Sequence, residues 1–208
     1  MPPLTAVILA GGQSSRMGQD KALLSLQGKP FIRCIYDAAL GCSDRVIVVA
    51  PWPHRYHSCL PTSCHYVREA LSPCMAEAAP SASQGPLVGF YQGLRDVKTD
   101  WVLLLACDLP RLQANHLRDW ADQIDALSEQ IIAFLPRQTK GWEPLCGFYH
   151  RRCRESIGDF IAAGGRSFQS WLQHQPVCPI PLSHAATAML YNCNTPQDMA
   201  QIAADGDR

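Results

Sequence analysis

Ala6-Val7-Ile8-Leu9-Ala10-Gly11-Gly12-Gln13-Ser14-Ser15-Arg16-Met17-Gly18-Gln19-Asp20-Lys21 runs from apolar residues straight into glycines, small polar residues and two cations. An unbroken apolar run of this length reads as a strand buried on both faces, expected over about Leu4–Ala10. Glycine lets the chain turn through positive φ and pass close to a ligand, because no Cβ stands in the way. Successive backbone N–H groups in such a turn make a concavity for anions, and Arg16 and Lys21 complete it with charge. Five residues separate Gly12 from Gly18, and Gln19 follows, so the spacing is not that of a P-loop. It is not G-x-G-x-x-G either. A nucleoside triphosphate is the ligand expected for this loop.

Outward from the loop, the chain alternates between short buried runs and amphipathic segments. Pro30 opens a helix bearing Phe31, Ile32, Ile35 and Ala39 at helical spacing, and Arg45–Ala50 is a second strand rich in β-branched residues. Ser72–Gln84, rich in Ala, Ser and Pro, reads as a loop or lid. Gly85-Pro86-Leu87 starts a helix to about Val97, Trp101–Cys107 is the clearest central strand, and Leu117, Trp120, Ala121 and Ile124 mark another helix. Further strands are expected at Ile131–Leu135, Leu145–Tyr149, Val177–Pro181 and Leu190–Tyr191, and helices at Arg152–Ala163 and Phe168–Leu172. A last helix begins with Thr195 as cap, Pro196 in the first position and Asp198 three residues after the cap. Strands alternating with helices predict an α/β fold, a mostly parallel central sheet with helices on both faces. No repeat or linker interrupts the pattern, so residues 1–208 are expected to form a single domain.

Composition narrows the partner. With 18 basic and 18 acidic residues the chain is formally neutral, which gives no basic surface for nucleic acid. Met1–Gly12 lacks the basic start of an export signal and no apolar stretch is long enough to span a bilayer, so a cytoplasmic protein without a membrane partner is expected. The ten cysteines then read as reduced thiols. His54, His57, Cys59, Cys64 and His65 match no standard zinc spacing and read as a polar loop.

Three more segments carry possible chemistry. Asp108 follows a buried strand, where open α/β sheets bind ligands and where carboxylates hold Mg²⁺; by itself it could equally start the turn before Pro110. Asn192 and Asn194 alternate ahead of the last helix, so both amides can face one site. Glu143 either lines an acceptor pocket or is solvated, and Asp20 either orients Lys21 or is solvated. Cys107 inside a buried strand is expected to be inert. No Ser-His-Asp arrangement on a nucleophile elbow and no H-E-x-x-H motif is present.

Leu9-Ala10-Gly11-Gly12-x-Ser14-x-Arg16-Met17-Gly18-x-Asp20-Lys21-Ala22-Leu23 resembles the opening motif of the molybdenum cofactor guanylyltransferases. The likeness continues, in the same order, through Gly85-Pro86-Leu87, Cys107-Asp108-x-Pro110 and Asn192-x-Asn194-Thr195-Pro196-x-Asp198. It implies a Rossmann-like nucleotidyltransferase fold and transfer of GMP from GTP to the terminal phosphate of molybdopterin, with release of pyrophosphate. By position it implies that Leu9, Ala10, Gly11, Gly12, Ser14, Arg16, Lys21, Gly85, Pro86, Leu87 and Asp108 contact GTP. Arg16, Lys21 and Asp108 would be the catalytic residues, with Mg²⁺ on Asp108. Asn192 and Asn194 would lie on the molybdopterin side, and other molybdenum-cofactor biosynthesis or acceptor proteins would be partners. The alternatives are another cytidylyl- or sugar-phosphate nucleotidyltransferase, or a non-catalytic nucleotide-binding module for cofactor delivery. Relatives often carry an aspartate shortly before Gly-Pro-Leu; Ala78–Gln84 has no acidic residue, which leaves Glu77, Glu69 or backbone groups to read the guanine.

Overall fold

Leu4–Leu9 sits between two strands that run in its own direction, and everything else is arranged around it. The computed structural model describes residues 1–11, 20–70 and 84–206. Its strands are β1 (Leu4–Leu9), β2 (Ser25–Leu26), β3 (Lys29–Pro30), β4 (Arg45–Ala50), β5 (His65–Arg68), β6 (Trp101–Ala106), β7 (Ala133–Gln138), β8 (Gly141–Trp142), β9 (Cys146–His150) and β10 (Val177–Ile180). Its helices are α1 (Phe31–Leu40), α2 (Pro86–Gly93), α3 (Ala114–Ala121), α4 (Cys153–Ala162), α5 (Phe168–Leu172), α6 (His184–Met189) and α7 (Pro196–Gly206).

Eight strands form one sheet in the order β10-β7-β9-β6-β1-β4-β5, with β8 paired to β7, while β2 and β3 make a separate ribbon. β1 is parallel to β4 and β6, β4 to β5, and β7 to β10. β9 runs antiparallel between β6 and β7. The sheet is therefore mostly parallel, as the alternation of elements predicts.

Side chains alternate across a strand, so each central strand feeds two cores. Ala6, Ile8, Val48, Leu103 and Leu105 pack with α1, α3 and α6 on one face. Val7, Ile47, Val49, Val102 and Leu104 pack with α2, α4 and α5 on the other. A small third cluster, Leu24, Phe31, Cys193 and Ile202, fastens α7 to the start of α1.

Several expectations shift in detail. Leu190–Tyr191 is not a strand: it follows α6, which starts where the Ser183 hydroxyl accepts the Ala186 N–H at 3.1 Å. The alanine-rich segment gave little periodic signal, yet Ala186 and Met189, three apart, both enter the core. β5 was missed because a four-residue edge strand with only one buried residue barely alternates. Helix α2 ends at Gly93 and continues as a 3₁₀ turn, Leu94–Asp96. The segment read as a loop or lid, Ser72–Gln84, lies outside the described residues apart from Gln84.

Gly93 shows how closely α2 lies on the sheet. A Cβ there would stand 2.8 Å from Val49 Cγ2 and 3.1 Å from Val7 Cγ1. Alanine is the better helix former by about 1 kcal/mol, but overpacking a tight core opposes it by about 1–3 kcal/mol. Gly93→Ala is therefore expected to lower stability in urea unfolding. A stability gain of the size that helix propensity alone supplies would show that α2 sits farther from the sheet.

Candidate functional site

The register puts Leu9 opposite both Val49 and Ala106, so β1, β4 and β6 finish level. Ligands in open α/β sheets bind outside these carboxyl ends. Here the chain leaves β1 through Ala10, whose N–H still bonds to Val49 O at 2.9 Å, and then turns at Gly11. Gly11 has φ +122°, and a Cβ on it would stand 2.5 Å from Pro51 Cδ. Both the conformation and the neighbour require glycine. Across from this turn, Gly85, at φ +94°, precedes α2 with Pro86 in the first helical position.

Between the two turns lies an open cleft of about 830 Å³, mouth included, whose walls hold Leu9, Gly11, Lys21, Glu69, Pro86 and Asp108.

Asp20 and Lys21 stand at the far end of the glycine loop. Asp20 is not simply solvated. Its Oδ1 accepts the Ala22 N–H at 3.1 Å, capping the 3₁₀ turn Lys21–Leu23, and its Oδ2 accepts the Tyr56 hydroxyl at 2.9 Å. Lys21 Nζ donates to Asn194 Oδ1 at 2.6 Å, which joins the C-terminal segment to the turn after Asp20. The same segment is tied to β6's exit by Cys193 N–H donating to the Asp108 carbonyl at 2.9 Å.

That segment is a well-built helix start. Asp198 Oδ2 accepts the N–H groups of Asn194 and Thr195, each at 2.8 Å, while Thr195 Oγ1 accepts the Asp198 N–H at 3.1 Å. Tyr191 donates to the other carboxylate oxygen at 2.8 Å. These donors, led by the Asn194 N–H, hold the Asp198 carboxyl down at about 2.

Asp108 lines the cleft at the exit of β6. Its Oδ1 is buried and, among the described residues, has no hydrogen-bond partner. Burial pushes its carboxyl upward, and the Lys21 ammonium opposes that rise. A buried acceptor left unpaired is unfavourable by about 1–3 kcal/mol, so the arrangement suits a ligand that supplies positive charge. Oxygen donors on a carboxylate are what a hard divalent cation takes, and Asp108 fits that requirement. Glu143 lies near enough for the charge on Asp108 to add to the rise that burial causes in its own carboxyl. Cys107 also lines the cleft, but burial and the neighbouring Asp108 push its thiol up to about 12, which makes it a poor nucleophile.

Of the residues expected from sequence, Leu9, Ala10, Gly11, Lys21, Gly85, Pro86 and Asp108 meet at this one cleft. Leu87 is fully buried in the core beneath it. Asn194 reaches Lys21, whereas Asn192 is exposed on the same segment. Gly12, Ser14, Arg16 and Glu77 lie outside the described residues. Glu69, buried at the end of β5, lines the cleft beside α2. Sequence reasoning missed Tyr56 and Gly89. Tyr56 is a lone tyrosine in a Pro- and His-rich stretch and gave no signal. Gly89 stands one helical turn after Gly85, on the cleft side of α2, and that spacing was the available clue.

Comparison with known proteins gives the family. A family model described as MobA-like NTP transferase domain matches residues 6–177. The chain belongs to this family. It is a nucleotidyltransferase by that membership. A protein of Nostoc sp. named probable molybdenum cofactor guanylyltransferase is 50% identical over 100% of this chain and 94% of its own length. One of Synechococcus elongatus with the same name is 42% identical over 93% of this chain and 94% of its own. The crystal structure of molybdopterin-guanine dinucleotide biosynthesis protein A from Archaeoglobus fulgidus superposes with a TM-score of 0.76 at 18% identity, covering 98% of each chain, and shows the MobA-like fold. Among the described residues, no helix is long and apolar enough to cross a membrane.

Two outcomes follow from the geometry. Gly11→Ala is expected to weaken nucleotide binding at least tenfold, about 1.4 kcal/mol, because the turn must move off Pro51; calorimetric titration with GTP reads this, and unchanged affinity contradicts it. The Asp198 carboxyl is expected to titrate at about 2, against an ordinary value of about 3.9. Since the folded value is the lower one, its stabilisation of the α7 start is full above the ordinary value and is lost as pH falls from about 4 to about 2. Carbon-detected NMR titration of the side chain, with hydrogen exchange in α7, checks both the value and the sign.

Proposed function

We propose that residues 1–208 act as one nucleotidyltransferase unit that transfers GMP from GTP to the terminal phosphate of molybdopterin. The products are the guanine dinucleotide form of the cofactor and pyrophosphate. One observation carries the reading: the Gly11 turn, Lys21 and the orphaned Asp108 carboxylate face one cleft in a chain half identical to relatives named for that reaction.

The chemistry needs no protein nucleophile. A phosphate oxygen of the acceptor is already anionic; it forms a bond to the α-phosphorus of GTP as the bond from that phosphorus to the bridging oxygen breaks. Pyrophosphate leaves with the electron pair. Positioning and charge neutralisation then do most of the work. In this reading the backbone N–H groups of the glycine loop hold the phosphates, and Lys21 and Arg16 face the charge that accumulates on them. A divalent cation such as Mg²⁺, bound through Asp108, supplies further positive charge at the phosphates. Asn192 and Asn194 lie toward the acceptor. The Lys21–Asn194 bond at 2.6 Å supports this, since it joins Asn194 to a cation proposed to face the phosphates.

Guanine offers two neighbouring N–H donors on its pairing edge, which a carboxylate accepts together. Glu69, buried in the cleft wall where the chain lacks an aspartate before Gly85, suits that task. Cytosine has no such donor pair, so a carboxylate there selects against CTP.

Incubation with Mg²⁺ and each nucleoside triphosphate, with and without molybdopterin, tests the substrates. Pyrophosphate release is expected only with GTP plus molybdopterin; release with CTP or a sugar phosphate would replace this reading. Asp108→Asn is expected to cut turnover by about 10²–10³-fold while leaving the metal-free melting temperature unchanged or higher, because it removes an unsatisfied buried charge. Near-wild-type turnover in that variant would remove Asp108 from the reaction. Glu69→Gln is expected to raise the KM for GTP about tenfold or more, with little change in the discrimination between acceptors.

A further inference from the structure

Tyr56 does not line the cleft, yet its hydroxyl ties Asp20, beside Lys21, to the protein core. The ring is 1% exposed and packs among the residues between the sheet and α1. It belongs to the 3₁₀ turn Pro53–Tyr56, which leaves β4 directly after Pro51, the residue that Gly11 abuts. From there its hydroxyl donates to Asp20 Oδ2 at 2.9 Å. The other oxygen of that carboxylate caps the turn carrying Lys21, by accepting the Ala22 N–H at 3.1 Å. Arg55 Nη1, its guanidinium stacked 4.4 Å from the Trp52 ring centroid, lies 3.8 Å from Asp20 Oδ2.

Asp20 Oδ2 therefore sits between the Tyr56 hydroxyl and the Arg55 guanidinium, while Oδ1 caps the turn. Without the hydroxyl, the attraction of Arg55 for Oδ2 is no longer balanced, and a carboxylate drawn toward it loosens the cap on the turn that carries Lys21. Burial, and then the neighbouring Asp20 charge, push the Tyr56 phenol far above its ordinary value, so it remains a donor throughout the working pH range.

We propose that Tyr56 is a positioning residue for the triphosphate: through Asp20 it holds the turn from which Lys21 reaches the cleft. This rests on the proposed function only in requiring that the cleft takes a triphosphate, not on the identity of the base or acceptor.

Tyr56→Phe removes one oxygen and keeps the ring. Thr99→Val is the control, removing a part-buried hydroxyl that donates to Trp101 O at 2.8 Å and lies 2.9 Å from Thr5 Oγ1, near the opposite ends of β1 and β6. Magnesium tripolyphosphate and magnesium GTP are each titrated calorimetrically into wild type and both variants, well below their melting temperatures. The expected result is that Tyr56→Phe binds tripolyphosphate about tenfold more weakly, with the same factor for GTP, while Thr99→Val binds as wild type does. Equal affinity in wild type and Tyr56→Phe, or an equal loss in Thr99→Val, overturns the positioning role and leaves nucleotidyl transfer standing. A wild-type protein that binds tripolyphosphate but neither prefers GTP nor releases pyrophosphate overturns the proposed substrates, and Tyr56 is then judged on its own ratio. Failure of wild type to bind tripolyphosphate at all overturns both.

Discussion

Parallel pairing of β1 with both β4 and β6 is the constraint on which the remaining structure depends. A strand with apolar residues on both faces and hydrogen-bonded partners at both edges can leave the sheet only at its ends. Because the register ends three strands level, their exits crowd together at one edge. Gly11 must turn against Pro51, Glu69 is drawn in beside Ala50 by its N–H bond at 2.9 Å, and Asp108 emerges opposite them. The cleft is what that crowding leaves open.

The antiparallel strand β9 extends the same logic. Its first residue, Cys146, pairs with Leu105, so the segment Glu143–Leu145 arrives at the carboxyl edge although β9 runs the other way. The Ala106 N–H bonds to Leu145 O at 2.9 Å, holding that segment against β6 just before Asp108. The C-terminal segment is fastened beside Lys21 and Asp108. Its hold is polar at Lys21 and Asp108 and apolar where Cys193 and Ile202 meet Leu24 and Phe31.

How much of this was legible in the sequence depended on the length of the signal. Arg45–Ala50 and Phe168–Leu172 were placed to the residue, and Trp101–Ala106 within one, because their apolar patterns are strong and bounded by polar or turn residues. The reversal of β9 was not legible, since an apolar run buried in a sheet carries no mark of its direction. β5 and α6 were too short or too rich in alanine to show a period. At the site, Gly11 and Asp108 announced themselves by residue type at the end of a strand. Tyr56 and Gly89 did not, because what matters about them is the partner the fold brings, across 36 residues in the case of Asp20. Leu87 shows the converse: it stands in a motif, yet its side chain serves the core.

The site is held by groups that would not be chosen for stability. Asp108 keeps an unsatisfied oxygen buried, and Gly11 and Gly85 sit in conformations that most residues avoid. On the proposed function, phosphate oxygens and a divalent cation would give these groups charged partners. The well-satisfied groups lie one step back: Asp20 between Tyr56 and the turn, and Asp198 beneath the Asn194 backbone. Rigid supports behind under-satisfied contacts leave binding free energy to be drawn from the ligand rather than from rearrangement of the protein.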